Sequence, residues 1–265
     1  MKAFSIACLA SSLELAAWIA CPGRAGAQDP FEIHVYEYET LRRGELSVEA
    51  HLNGDLEGTR TNEGRLAPTH GQVHLTFEPT VGLADHAALG LMFLTARRPG
   101  TGPEFAGWRV LPHLYAPESW DLPFRLGFVA ELSFQSVTFE PNSRRLELRP
   151  ILERSFGRLQ LDLNPVFERA LRGPDQRRGW SFEPALLLRY NRERFSPSLE
   201  YYGALAGIAS RPRGQPQTHQ LFAGGDLELR PDLGVNLGAG FDLGHNGPGL
   251  VLKARFEWSR RRQVG

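Results

Sequence analysis

The chain has 265 residues and two cysteines, Cys8 and Cys21, both within its first 27 residues. A mature chain beginning after Ala27 has no thiol. That excludes a disulfide framework, a thiolate metal site and a cysteine nucleophile. Net charge is absent too, with a formal value of +0, so no global basic field draws nucleic acid. Long apolar runs are also missing. Beyond the N-terminus none reaches the roughly 18 residues that a membrane-spanning helix needs, and mean hydropathy is -0.30. A helical membrane protein is therefore excluded. A transmembrane barrel is not, because only alternate residues of each strand must be apolar. Neither a GxSxG nor an HExxH motif occurs.

The first 27 residues differ from the rest. Lys2 supplies a positive start. An apolar stretch follows from Ala3 to Ala20, interrupted by Ser11, Ser12 and Glu14, and Ala25-Gly26-Ala27 forms a small-x-small cleavage site. Residues 1–27 read as a secretory signal peptide. A buried N-terminal helix and lipid attachment at Cys21 are the alternatives. Trp18-Ile19-Ala20 lacks the leucine usual before a lipidated cysteine.

The mature chain is dominated by a period of two. In "LQLDLNPVFERAL" (159–171), Leu159, Leu161 and Leu163 share one side, and Gln160, Asp162 and Asn164 the other. The pattern recurs in twelve candidate strands: 45–56, 71–82, 87–97, 107–116, 123–135, 145–155, 159–171, 180–191, 195–207, 218–230, 233–243 and 249–259. Membrane-spanning strands need about nine to eleven residues, whereas strands of soluble proteins average about five or six. The lengths thus favour lipid over the dry interior of a soluble sandwich.

Short and long connections alternate. The short ones are 83–86, 156–158, 192–194 and 231–232; the long ones are 57–70, 98–106, 136–144, 172–179 and 208–217. The 117–122 connection is long for a turn, and 244–248 is short for a loop. The expected fold is all-β: a closed antiparallel transmembrane barrel of about twelve strands, over residues 44–265, with short periplasmic turns and longer outer loops. An even strand number puts both ends of the barrel on the periplasmic side.

One face of the strands carries uninterrupted apolar rows, such as Phe124, Leu126, Phe128, Ala130, Leu132 and Phe134. By parity the opposite face lines the lumen with Glu49, His51, His74, Glu78, Arg125, Glu131, Glu147, Arg149, Glu153, Asp162, Glu168, Glu183, Arg189, Asp226, Glu228, Lys253, Arg255 and Glu257. Ionisable groups at membrane depth are costly unless they line water or pair with one another. Trp108, Trp180, Phe182, Tyr190, Phe195, Tyr201 and Trp258 lie near strand ends, where aromatic girdles would put them. Residues 28–43, including "FEIHVYEYETLRR", stand apart as a short periplasmic or plug-like segment, or as one further strand.

The leader, "DPFEIHVYEYETLRRGELSVEAHLNG" (29–54), "HLTFEPTVGLADHAALGLMF" (74–93) and "RPILERSFGRLQLDLNPVFE" (149–168) give the chain a resemblance. It is similar to a broad group of Gram-negative outer-membrane β-barrels of transport or phenol-degradation meta-pathway type. The resemblance implies an outer-membrane location and a barrel fold, and carries no catalytic signature. Many such barrels end on an aromatic residue, whereas this chain continues past Trp258 to Gly265.

Three functions compete on these residues. A polar channel for small solutes, leaning towards cations, uses the acid-rich lumen. A closed, salt-bridged lumen instead serves structure or partner binding through the outer loops. A lipid hydrolase would need a serine beside a histidine, and "GHNGPG" (244–249) offers His245 and Asn246 without one. A soluble periplasmic β-protein is the reading outside the membrane. No enzyme activity and no cofactor are expected. His51 and His74, with Glu49 and Glu78 near in sequence, have the residue types of a zinc site, but nothing in the spacing requires one. Expected partners are outer-membrane lipid and a small solute, not nucleic acid; the sequence does not fix an oligomeric state.

Overall fold

The structure, a computed structural model, describes residues 29–205, 217–244 and 249–260. The leader, His245 and Asn246, and the tail beyond residue 260 lie outside the described residues. The strands are β1 (Leu46–Asp55), β2 (Val73–Ala84), β3 (Ala87–Arg97), β4 (Pro103–Tyr115), β5 (Arg125–Gln135) and β6 (Arg144–Phe156). They continue as β7 (Leu159–Arg172), β8 (Trp180–Tyr190), β9 (Phe195–Ala204), β10 (Thr218–Arg230), β11 (Leu233–Asp242) and β12 (Val251–Arg260). Each pairs antiparallel with its neighbours in sequence, and β12 returns to β1, so the sheet closes as a barrel without edges. All twelve strands expected from the alternation are present, 10 to 14 residues long.

The fourth strand starts earlier than its alternation suggests, because a bulge breaks the period. Leu94 pairs with Gly107 while Thr95 pairs with Phe105, leaving one extra residue. Gly107 absorbs it at φ 153, and a Cβ there would lie 2.3 Å from the Phe134 carbonyl oxygen. The bulge reverses the phase: Ala106 and Arg109, of opposite parity, are both only 1% exposed.

The tight turns gather at one end. Asp85-His86, Gly157-Arg158 and Pro231-Asp232 each join two strands. The 116–124 connection, at the same end, contains a 3-10 turn at Glu118–Trp120. The long loops cover the other end. Ala67 N–H donates to the Thr138 carbonyl at 2.9 Å, tying the 56–72 loop to the 136–143 loop. Asn142 donates to Asp175 at 3.0 Å, adding the 173–179 loop.

Large apolar side chains cover the outside, among them Leu75, Phe77, Phe93, Leu188, Leu237 and Phe256, each more than a third exposed. A soluble protein rarely shows so continuous an apolar belt, and a lipid-facing barrel wall requires one. No described helix is long and apolar enough to cross a membrane, which does not bear on crossing by strands.

The interior is not uniformly polar. Strand β3 is apolar on both faces: Ala88, Met92, Leu94 and Ala96 are buried inside while Leu91 and Phe93 face out. Residues 29–43 form no strand of the barrel and run through its lumen. Phe31 and Tyr36 pack with Met92, Leu94, Leu111, Val129 and Ile151 on one wall. Ile33 and Val35 pack with Leu187, Tyr202, Phe222 and Val251 on the opposite one. Ile33 and Val35 thus face one apolar wall and Tyr36 the other, while Phe31, of the same parity as Ile33, breaks the period and joins the Tyr36 wall.

Candidate functional site

The lumen is the site, and the segment through it sets its geometry. A strand-like chain outside any ladder must find other partners for its backbone groups. The wall supplies them from side chains. Asn53 donates to the Pro30 carbonyl at 2.9 Å and Thr76 to that of Phe31 at 2.7 Å. Lys253 Nζ donates to the Ile33 carbonyl at 3.2 Å. Asn164 bonds both polar groups of the Tyr36 backbone, and Tyr38 N–H donates to Glu153 at 2.9 Å. The segment leaves at the tight-turn end, where Gly44 N–H donates to the Gly82 carbonyl at 2.8 Å.

Charge complements the backbone match. Arg109 is buried, with Asp29 at 2.5 Å, Glu32 at 3.1 Å and Glu131 at 3.3 Å. Arg145 bridges Asp29 at 2.5 Å and Glu168 at 2.7 Å. Arg149 reaches Glu32 at 3.4 Å and Glu147 at 2.6 Å, and its guanidinium lies 4.2 Å from the centre of the Tyr36 ring. Arg189 clamps Glu37 with two donors and reaches Asp226 at 3.3 Å. Buried charges are tolerated only when paired and hydrogen-bonded. Here acids of the segment and acids of the wall share the same arginines.

The remaining residues named from parity can be placed one by one. Glu153 accepts from Arg125 at 3.0 Å, with Arg125 half exposed at the tight-turn rim. Asp162 accepts from Gln160 at 3.0 Å, and Glu183 from Ser181 at 2.9 Å. Lys253 pairs with Glu200 at 2.5 Å; Arg255 pairs with Glu49 at 3.1 Å and lies 3.7 Å from Glu257. Glu228 is exposed towards the tight turns. His51 and His74 do not form the pair considered from sequence. His51 lies opposite Thr76, and His74 opposite Asn53. His74 instead meets Gln72 at 2.9 Å and the Phe31 ring edge-on at 4.7 Å.

The residues named from sequence leave out Arg109, His113 and Arg145, and alternation could not name Asp29 and Glu32 as partners of Arg109, Arg145 and Arg149, or Glu37 as that of Arg189. Arg109 carried a signal: a charge between Trp108 and Val110 in an apolar strand must turn inward. The apolar Leu111 and Tyr115 on the same inward row hid it.

Neither a protein-family model nor a curated protein matches the sequence. The fold does match solved barrels. The COG4313 outer membrane channel from Pseudomonas putida F1 superposes with a TM-score of 0.59 at 14% identity, over 86% of this chain and 100% of that one. The KdgM porin superposes with a TM-score of 0.53 at 9% identity, over 81% of this chain and 99% of that one. The chain therefore has the fold of outer-membrane β-barrels.

Proposed function

We propose that this protein is an outer-membrane channel for small solutes, held shut at rest by residues 29–43. The observation that carries this reading is the way the segment is held. It fills a charge-lined lumen through side-chain bonds to the wall rather than through a sheet ladder. Such contacts can be released without unzipping the barrel. The apolar outer belt supports a lipid setting, and in outer-membrane barrels the tight turns face the periplasm. Similarity of fold to a channel and a porin supports the reading, as does the sequence resemblance to transport and phenol-degradation meta-pathway barrels.

A second reading is favoured by the same segment: a permanently sealed barrel that serves structure or binds a partner through its loops. Planar-bilayer recordings separate the two. The full chain is expected to give rare, small conductance steps. A triple variant, Asp29→Asn, Glu32→Gln and Glu37→Gln, is expected to give larger and longer ones, because its segment loses its charge partners. Unboiled gel migration verifies folding in both. A folded, inserted variant that stays sealed under applied voltage rejects the channel and leaves the sealed barrel.

A further inference from the structure

We propose that the barrel interior carries a divalent transition-metal site, with Glu49, His51 and Glu78 as wall ligands and His34 of the N-terminal segment as the ligand that completes it. The proposal stands apart from the channel reading, since a sealed barrel could hold the same ion.

The wall half of the site follows from register. Glu49 on β1 and Glu78 on β2 are direct cross-strand partners. Like charges directly opposite destabilise a sheet unless a cation lies between or beside them. Arg255 reaches Glu49 at 3.1 Å from one side. Among the described groups around Glu78, Thr80 donates to Oε1 at 3.3 Å, and His51 approaches Oε2. The imidazole of His51 is 1% exposed. Its Nε2 lies 3.4 Å from Glu49 Oε2 and 3.7 Å from Glu78 Oε2, yet makes no hydrogen bond to either. Ligand atoms at about 2.0–2.2 Å from a tetrahedral zinc ion lie roughly 3.3–3.6 Å apart. The 3.4 Å separation falls within that range and the 3.7 Å one just beyond it, and one oxygen or nitrogen from each of the three residues falls within 4.8 Å of the others.

Two further imidazoles lie near this group. His34 has both ring nitrogens buried and unbonded, with its ring centre 6.0 Å from that of His51. His113 on β4 is 5% exposed and its Nε2 is also unbonded. It approaches Glu78 across Gly90 of β3: a Cβ at Gly90 would lie 3.2 Å from Glu78 Oε1 and 3.3 Å from His113 Nε2. With no side chain at Gly90, Glu78 of β2 and His113 of β4 border the same space. Nitrogen and carboxylate donors together suit zinc, nickel, copper or cobalt, rather than calcium or magnesium, which prefer oxygen alone. Because His34 belongs to the segment and the other ligands to the wall, a bound ion would tie the two together.

The test uses the folded full-length mature chain without a polyhistidine tag, titrated with Zn2+ by calorimetry and with Co2+ by visible absorption. One ion per chain is expected, with the d–d bands of nitrogen and oxygen ligation. His51→Gln should weaken binding by at least about 100-fold, at or beyond the upper end of what loss of an outer partner costs a metal site. His34→Gln should weaken it about 10-fold, and His74→Gln should leave it unchanged. Unboiled migration confirms that each variant folds, and Glu78→Gln replaces any that does not. Absence of stoichiometric binding to the folded wild type overturns the site. So does binding that survives His51→Gln or Glu78→Gln, or that His74→Gln removes instead.

Discussion

The side-chain amide of Asn164 holds both backbone polar groups of Tyr36: its Oδ1 accepts the Tyr36 N–H at 2.7 Å, and its Nδ2 donates to the Tyr36 carbonyl at 2.9 Å. One residue of β7 thus stands in for a strand neighbour. Replacing it with leucine, Asn164→Leu, keeps the volume but strands two buried backbone groups, at about 1–3 kcal/mol each. The segment should open more often while the barrel stays closed. Hydrogen exchange over residues 31–38 should speed up by at least about tenfold, since 1.4 kcal/mol is a factor of ten, with the strands unaffected. Equal protection in the variant would show that the amide contributes nothing to docking.

Arg109 is paired with three acids, Asp29, Glu32 and Glu131, all within 3.3 Å. Removing one partner of a buried ion cluster costs about 3–5 kcal/mol, because the others are left without compensation. In Arg109→Met that cost falls on the docked segment. The readout is a single thiol introduced by Val35→Cys in a protein produced from residue 28 onward, where no other cysteine occurs. Labelling should be slow in the otherwise wild-type barrel and fast with Arg109→Met. Similar rates in the two proteins would mean that charge does not hold the segment.

Most of the barrel can be read from the sequence because its physics is local. A strand with lipid on one face and polar groups on the other writes its period of two directly, as in Leu159 to Asn164, and its turns fall where the period stops. Three things break that link. The Gly107 bulge inverts parity within β4, and the inward row after it mixes Arg109 and His113 with Leu111 and Tyr115, so no wet face stands out there. Strand β3 is apolar on both faces because its inner residues pack on Phe31 and Tyr36 of the N-terminal segment; the run "AALGLMFL" resembles any buried strand. Finally, partnerships such as Arg189 with Glu37 join residues 152 positions apart. Only the closed barrel brings such residues together. The polar character of the lumen was legible; which charges meet, and that Glu78 rather than His74 accompanies His51, was not.

Gly82 should prove as sensitive as any charge. It exchanges backbone hydrogen bonds with the incoming chain, donating to Glu45 at 3.0 Å and accepting from Gly44 at 2.8 Å. A Cβ at this position would lie 2.0 Å from the Arg42 carbonyl oxygen and 2.8 Å from that of Leu41. Both are backbone atoms, so no side chain can swing aside. Gly82→Ala is expected to displace residues 41–45 from β2 and free the solvent-exposed Arg42-Arg43 bond for faster cutting by trypsin, in a barrel that still migrates as folded. Resistance equal to the wild type would place the segment elsewhere.

Phe77 tests the lipid face. It lies mid-strand on β2, is 47% exposed, and is flanked across the sheet by Ala50 and Phe93, which also point out. Leu56 is similarly exposed at 46% but lies just beyond β1, in the long loop. If the belt contacts lipid, the cost of an arginine depends on depth, at about 2–4 kcal/mol near the bilayer midplane and about 0–1 near the interface. Phe77→Arg should therefore lower folding stability in phospholipid vesicles far more than Leu56→Arg. If the belt packed against protein in a water-soluble assembly, no dependence on bilayer depth would follow. Reversible denaturant titration of both variants in bilayers measures the difference, and equal losses would remove the membrane from the reading of this fold.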